Sequence, residues 1–162
     1  MRPDDLNGLS ALTICGIFGC TSKDAFGNCS RKVFFATSDT AMLYAADAKT
    51  GAIEYAVGFN GWPVYSSPAI AGDMLYVGST EGKLGAVNIS SGRMAWQFAT
   101  DGNKQNAELI KSYFAPFTTD FYDDVVAAYT KLQTLGPILA SPVVVDKVVY
   151  VASVDGNLYA LD

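Results

Sequence analysis

The sequence predicts an all-β fold of small antiparallel sheets, repeated along the chain in an open arc and interrupted once by helix. Three observations carry this. Ser67–Trp96 alternates short apolar runs with turn residues: Leu75–Gly78 and Leu84–Ile89 read as strands, with Thr80-Glu81-Gly82 and Ser90-Ser91-Gly92 as turns. The same pattern recurs at an offset of 41 toward the N-terminus and 74 toward the C-terminus. Between the second and third copies, near 101–136, the alternation is lost and apolar residues fall at helical spacing. A period near forty with several strands per unit is the signature of a β-propeller blade. A closed ring takes about four to eight blades and this chain supplies about three, so the expected object is a partial ring with exposed sheet faces and edges.

The chain divides into an N-terminal segment, 1–30, and the repeats, 31–162. Within the first segment Leu9–Phe18 is apolar but too short to span a bilayer. It reads either as a signal or lipoprotein-type leader, with Cys20 as the lipid-bearing residue, or as a strand of a preceding, degenerate repeat. Asp4 and Asp5 are out of place at the start of a leader, and Phe18 fits poorly before a processing site. The three cysteines, Cys15, Cys20 and Cys29, match no zinc spacing, and their disulfide state is open.

The first full repeat has strands at Val33–Ser38, Met42–Asp47 and Ala52–Val57. At the offset of 41, Phe35 meets Tyr76, Ser38 meets Ser79, Leu43 meets Leu84, Ala45 meets Ala86, Asp47 meets Asn88, and Tyr55 meets Trp96. The third copy begins at Ser141-Pro142, with strands at Val143–Val145, Val148–Ser153 and Asn157–Asp162, and lacks the last turn and strand of its unit. Asp155-Gly156 is read as a type I′ hairpin turn, in which both central residues take positive φ.

The segment 101–136 is read as a helical insertion between two blades. Phe121, Val125, Ala128, Leu132 and Leu135 share one helical face, Thr119 or Asp120 caps its start, and Gly136-Pro137 ends it. A second helix is expected over Asn106–Phe114. Asp120, Asp123 and Asp124 serve a helix start, with cation binding as the alternative. Phe114, Phe117, Phe121 and Tyr122 make the insertion aromatic, suited either to a partner-binding surface or to a plug folded back over the sheets.

Composition narrows the chemistry. There is no histidine, which removes the commonest general base and transition-metal ligand. Net charge is −5 and no Lys/Arg run exists, which argues against nucleic acid as a partner. Asn28-Cys29-Ser30 and Asn88-Ile89-Ser90 match the N-glycosylation pattern, but Asn88 has a turn role of its own.

The residues Ala86, Asn88, Ser91, Gly92, Arg93 and Trp96 resemble the tryptophan-docking motif of quinoprotein-type (PQQ-like) β-propeller repeats, Ala-x-Asp-x-x-Thr-Gly-Lys-x-x-Trp. The first copy, Ala45, Asp47, Thr50, Gly51 and Tyr55, departs from it with Ala52 for the basic residue and Tyr for Trp. The third keeps only Ala160 and Asp162. The resemblance covers about residues 31–100 and 137–162 and implies that Trp96 lies between neighbouring blades. Each motif position also has a structural account: a small residue beside the aromatic, an Asx-capped turn, and a glycine for its backbone freedom.

The resemblance implies two functional groups. One is a non-catalytic, BamB-like group of bacterial envelope lipoproteins that assist outer-membrane assembly, with protein partners and a periplasmic location. The other is the alcohol and sugar dehydrogenases, which hold pyrroloquinoline quinone and calcium on the propeller axis. The adjacent cysteine pair of those enzymes is absent here, and their Glu, Asn and Asp calcium set has no counterpart. The expectation is a non-catalytic scaffold or binding module without cofactor, the alternative a piece of a quinone-dependent dehydrogenase.

Overall fold

A computed structural model of the chain describes residues 12–13, 19–23, 29–108 and 125–162. Twelve strands and two helices are placed among them. The first sheet holds β1 (Leu12–Thr13), β2 (Gly19–Lys23), β3 (Cys29–Thr37), β4 (Met42–Asp47) and β5 (Ile53–Gly58). The second holds β6 (Ala69–Ala71), β7 (Met74–Gly78), β8 (Lys83–Asn88) and β9 (Arg93–Ala99). Helices α1 (Asp101–Gln105) and α2 (Val125–Gln133) follow. The third sheet holds β10 (Val143–Val145), β11 (Val148–Ala152) and β12 (Leu158–Leu161).

All strand pairings are antiparallel, and the strands run in chain order within each sheet, β1-β3-β4-β5, β6-β7-β8-β9 and β10-β11-β12. β2 is an added hairpin arm on β3. β3 runs across residues 30 and 31, and Leu12–Thr13 pair with Thr37 and Ala36 inside this first sheet. The sheets are successive meanders of one pattern, as the repeat predicts, and the third has three strands rather than four.

Successive sheets pack face to face. Phe34, Ala36, Leu43 and Ala45 of the first sheet bury against Leu75, Val77 and Val87 of the second. Leu84 of the second, with Tyr76 and Phe98, packs against Ile138, Val149, Val151, Tyr159 and Leu161 of the third. Each sheet thus has a trailing face, turned to the next sheet, and a leading face, turned to the one before. A strand with apolar residues on both faces reads as a continuous apolar run, which is why β7, β8 and β11 look as they do.

The register corrects one expected match. Tyr76 pairs with Ala86, whereas Phe34, not Phe35, pairs with Ala45. Phe34 therefore holds the Tyr76 position, and the turn after β3 is one residue longer than its counterpart. Phe35 lies on the opposite face, stacked on Tyr44 at 5.3 Å between ring centroids.

A second correction concerns turns. Asp155 does not take positive φ; only Gly156 does, at 88°. Gly156 N–H donates to Ser153 C=O and Ser153 N–H to Asn157 C=O, a turn followed by a left-handed glycine. The Ser79–Lys83 turn has the same two bonds, with Gly82 at φ 82°. The two-residue turn with both φ positive is Asp146-Lys147, at 50° and 72°, joining β10 to β11.

The insertion opens with an additional helix: α1 begins at Asp101, directly after β9, because Thr100 caps it by accepting a hydrogen bond from Asn103 N–H. Of the helix expected over Asn106–Phe114, residues 107 and 108 are helical and 109–114 lie outside the described residues. α2 confirms helix in the second half and ends at Gln133, before Gly136 takes a φ of 64°. The expected caps Thr119 and Asp120, the acidic residues Asp123 and Asp124, and the aromatic residues Phe114, Phe117, Phe121 and Tyr122 lie outside the described residues.

Candidate functional site

Two junctions join the three sheets, and the polar side chains of interest gather at them. At the first, the motif turn is built as its residue types demand. Asp47 Oδ1 accepts hydrogen bonds from Lys49 N–H, Thr50 N–H and the Thr50 hydroxyl at 3.0, 2.7 and 2.8 Å. The Thr50 hydroxyl, then its N–H, hold the Asp47 carboxyl below the usual carboxylate range. Gly51 takes φ 73° and donates its N–H to Asp47 C=O. In the second sheet Asn88 Oδ1 accepts from Ser91 N–H at 2.8 Å, and Gly92 repeats the glycine turn with φ 65°. Asn88 Nδ2 and Ser90 Oγ both donate to the Asp73 carboxylate, at 2.6 and 2.8 Å.

The motif aromatic of the first sheet docks on the motif turn of the second. The Tyr55 ring covers Gly92 so closely that a Cβ there would sit 2.7 Å from the ring. The Tyr55 hydroxyl donates to Ile89 C=O at 2.9 Å. Burial, then the negative charges of Glu54 and Asp73, push the Tyr55 hydroxyl up to about 12. Lys32 Nζ lies 5.4 Å from the ring centroid and pairs with Glu54 at 2.6 Å.

Ala45 pairs across the strands with Tyr55, and Ala86 with Trp96, so each aromatic stands beside an alanine. Trp96 is 39% exposed and its ring contacts Tyr76 at 5.9 Å. At the repeat offsets Asp162 is in register with Asp47 and Asn88.

At the second junction the insertion leaves and rejoins the sheets at one polar root. The Thr100 hydroxyl donates to Leu135 and Gly136 C=O at 3.2 and 3.3 Å, and Asn103 Nδ2 donates to Glu81 C=O at 2.7 Å. Asn106 Nδ2 donates to Thr134 C=O at 2.8 Å. From the third sheet, Asp155 Oδ2 accepts from Gly102 N–H at 3.1 Å and from the Tyr159 hydroxyl at 2.6 Å, while the Tyr159 oxygen accepts from Asp101 N–H at 2.8 Å. Burial would raise the Asp155 carboxyl, but bonds from Tyr159, Gly102 and Asn157 outweigh it and hold the carboxyl low. Burial and the bond to Asp155 push the Tyr159 hydroxyl up.

Glu81 and Asp155 hold equivalent positions in the two turns, each just before the left-handed glycine. Glu81 is buried and paired with Lys83 at 2.6 Å. The residues missed from sequence are Thr100, Asn103, Asn106 and Tyr159, scattered polar residues that only the insertion's geometry brings together. A Thr before Asp101 at the end of an apolar strand was the one available signal, as a helix cap.

Calcium takes six to eight oxygen ligands, so a quinone–calcium site needs several convergent carboxylates and carbonyls. Among the described residues no cluster of three or more Asp, Glu, Cys or His side chains offers such a site. Glu81 is paired with Lys83, and Asp155 with the Tyr159 hydroxyl and Gly102 N–H. No helix among the described residues is long and apolar enough to cross a membrane.

A family model described as outer membrane protein assembly factor BamB matches residues 22–136. No curated protein matches the sequence. Among solved structures, BamB from Moraxella catarrhalis is similar at 19% identity with a TM-score of 0.53, over 81% of this chain and 30% of that one. A quinohemoprotein alcohol dehydrogenase from Pseudomonas putida HK5 is similar at 19% identity with a TM-score of 0.49, over 75% of this chain and 19% of that one. A europium-containing methanol dehydrogenase follows at 20% identity and a TM-score of 0.41, over 69% and 15%. The chain thus spans less than a third of the length of each of these structures.

Proposed function

This chain belongs to the family of the outer membrane protein assembly factor BamB, and on that premise we propose that it is a non-catalytic β-propeller scaffold of the bacterial cell envelope, acting from the periplasmic side by binding protein. The observation that supports this best is how the polar residues of the repeats are used. Asp47, Asn88, Glu81, Asp155 and Tyr159 are engaged in turns, in sheet junctions and in the root of the insertion. The root ties α1 and the residues that follow α2 to turns of the second and third sheets. In α2, Val126 and Tyr129 are 76% and 62% exposed. Exposed apolar side chains on a rooted insertion suit contact with a protein partner.

The test has two arms. A photo-crosslinking residue in place of Tyr129 is expected to capture a defined envelope protein in cells, with the tagged chain in the periplasmic fraction. The purified protein is expected to show no saturable binding of pyrroloquinoline quinone with calcium and no dye reduction with alcohols or sugars. Micromolar quinone binding, or calcium-dependent dye reduction, overturns the scaffold reading in favour of the dehydrogenase one. Cytoplasmic retention overturns the envelope assignment.

A further inference from the structure

A turn in the link from β5 to β6 carries chemistry that the scaffold role does not use. Asn60 and Gly61 both take positive φ, 52° and 80°, and Trp62 N–H donates to Phe59 C=O across them at 2.9 Å. Among the described residues it is the second turn of this kind, beside the β10–β11 hairpin, and Asn-Gly is the pair that such a turn favours. Asn60 and Gly61 are exposed, while the flanking Phe59 and Trp62 are buried. The other asparagines of the described residues are held in place. Asn88 Nδ2 donates to the Asp73 carboxylate and its Oδ1 accepts from Ser91 N–H. Asn103 Nδ2 donates to Glu81 C=O, Asn106 Nδ2 to Gly102 and Thr134 C=O, and Asn157 Nδ2 to the Tyr159 hydroxyl. Each is followed by a residue with a side chain, which crowds the next backbone nitrogen. Asn60 differs on both counts. Among the described residues neither its carboxamide nor the Gly61 N–H has a hydrogen-bond partner, and Gly61 has no Cβ.

We propose that Asn60 is a site of spontaneous deamidation, and that its conversion loosens the link across the first junction. The Gly61 nitrogen bonds to Asn60 Cγ. Its proton passes through water to Nδ2, the Cγ–Nδ2 bond breaks, and Nδ2 leaves as ammonia. Water then opens the cyclic imide. Opening at Cγ leaves an aspartate in an unaltered main chain. Opening at the backbone carbonyl of residue 60 leaves an isoaspartate, with one methylene added to the main chain. To reach the attacking geometry Asn60 leaves the left-handed region, which an L-residue does not favour, and one turn hydrogen bond opens. The longer main chain of an isoaspartate cannot remake a two-residue turn between the same anchors. Those anchors are Phe59, packed in the core between the first and second sheets, and Trp62. Phe59 N–H also donates to Ala41 C=O, so the change reaches the β3–β4 turn. The site is separate from the insertion and from any envelope partner that α2 meets.

The test is incubation of the folded chain in mildly alkaline buffer at physiological temperature, followed by peptide mapping with mass spectrometry and enzymatic methylation of isoaspartate. Asn7-Gly8 shares the dipeptide and lies outside the described residues, so its peptide is followed separately. The peptide holding Asn60 is expected to convert to its acid and isoacid forms while Asn88, Asn103, Asn106 and Asn157 remain amides. Hydroxylamine, which attacks the imide, should cut the folded chain between residues 60 and 61. In the converted chain, amide exchange at Phe59 and Trp62 should quicken, while Val149 and Val151 in the third sheet keep their protection. Asn60→Gly removes the carboxamide and keeps a residue suited to positive φ, so it should abolish both the conversion and the change in exchange. An Asn60 that stays an amide in the folded chain, or that converts no faster than Asn88, overturns the site. Conversion with unchanged exchange at Phe59 and Trp62 overturns the loosening, as does an equal quickening in incubated Asn60→Gly.

Discussion

The two junctions do the same packing with different chain between them. From β5 to β6 the chain passes through a short apolar link in which Phe59, Trp62 and Val64 are buried. From β9 to β10 it runs through the whole insertion and returns. Yet Phe59 N–H donates to Ala41 C=O in the first as Thr100 N–H donates to Gly82 C=O in the second, and Thr80 N–H donates to Pro63 C=O as Val154 N–H does to Pro137 C=O. The backbone frame is repeated on either side of an insertion that leaves it undisturbed. The difference lies in what fills the gap: side-chain apolar packing at the first, and a hydrogen-bonded root at the second. The faces of the sheets therefore carry the fold, and the polar root fixes the insertion to it.

That comparison can be broken at its faces first. Phe34→Ala in the first junction and Leu84→Ala in the second each remove a fully buried side chain and should cost about 3–5 and 2–5 kcal/mol respectively by denaturant unfolding. Similar costs at both would place the stability in the faces; a negligible cost at Leu84 would mean the insertion holds the second junction.

Glycine sharpens the contrast. A Cβ on Gly82 would lie 2.1 Å from Leu135 C=O, at a φ of 82°. Gly82→Ala should cost about 1–3 kcal/mol or more in thermal unfolding. Ala41 holds the same place in the first repeat at a φ of 54°, so Ala41→Gly should be neutral or stabilise by up to about 1 kcal/mol.

The docked Tyr55 predicts an alkaline response. Its folded pKa lies above that of the unfolded chain, so its contribution is whole below about pH 10. That contribution is lost as the solution rises toward about 12. Tyr55→Phe should cost roughly 0.5–1.5 kcal/mol at neutral pH, through the bond to Ile89 C=O, and should remove this component of the alkaline decline.

Asp155 predicts the opposite limb, with a smaller effect. Its folded carboxyl is held low, so its contribution is present above about pH 4, the unfolded value, and is lost as pH falls below it. Exchange of the Gly102 amide should quicken in that acid range, and Asp155→Asn should flatten the change while costing less than about 1 kcal/mol.

Much of this architecture was legible. The repeat offset, the Asx-Gly turns and the three-stranded third sheet follow from turn chemistry and apolar alternation, both local. The register of β3 was not, because Phe34-Phe35 are alike and a one-residue slip exchanges which of them faces the core. Asp155-Gly156 resembled a type I′ turn by residue type, while Asp146-Lys147, a poorer match to the usual Asn-Gly, took that geometry where the tight β10–β11 link required it. The alanine beside each aromatic residue, Ala45 with Tyr55 and Ala86 with Trp96, was legible as part of a motif. The root was not, since Thr100, Asn103 and Tyr159 are distant in sequence and acquire their roles only when the insertion folds back.

The central claim, that the sheet faces and not the insertion hold the sheets together, is tested most directly by joining Thr100 to Thr134, as Phe59 is joined to Asn60, and measuring amide hydrogen exchange. Continued protection of Val149, Val151 and Leu161, at levels close to those of the intact chain, is the predicted result. Loss of protection throughout β11 and β12, with the first and second sheets unaffected, would contradict it.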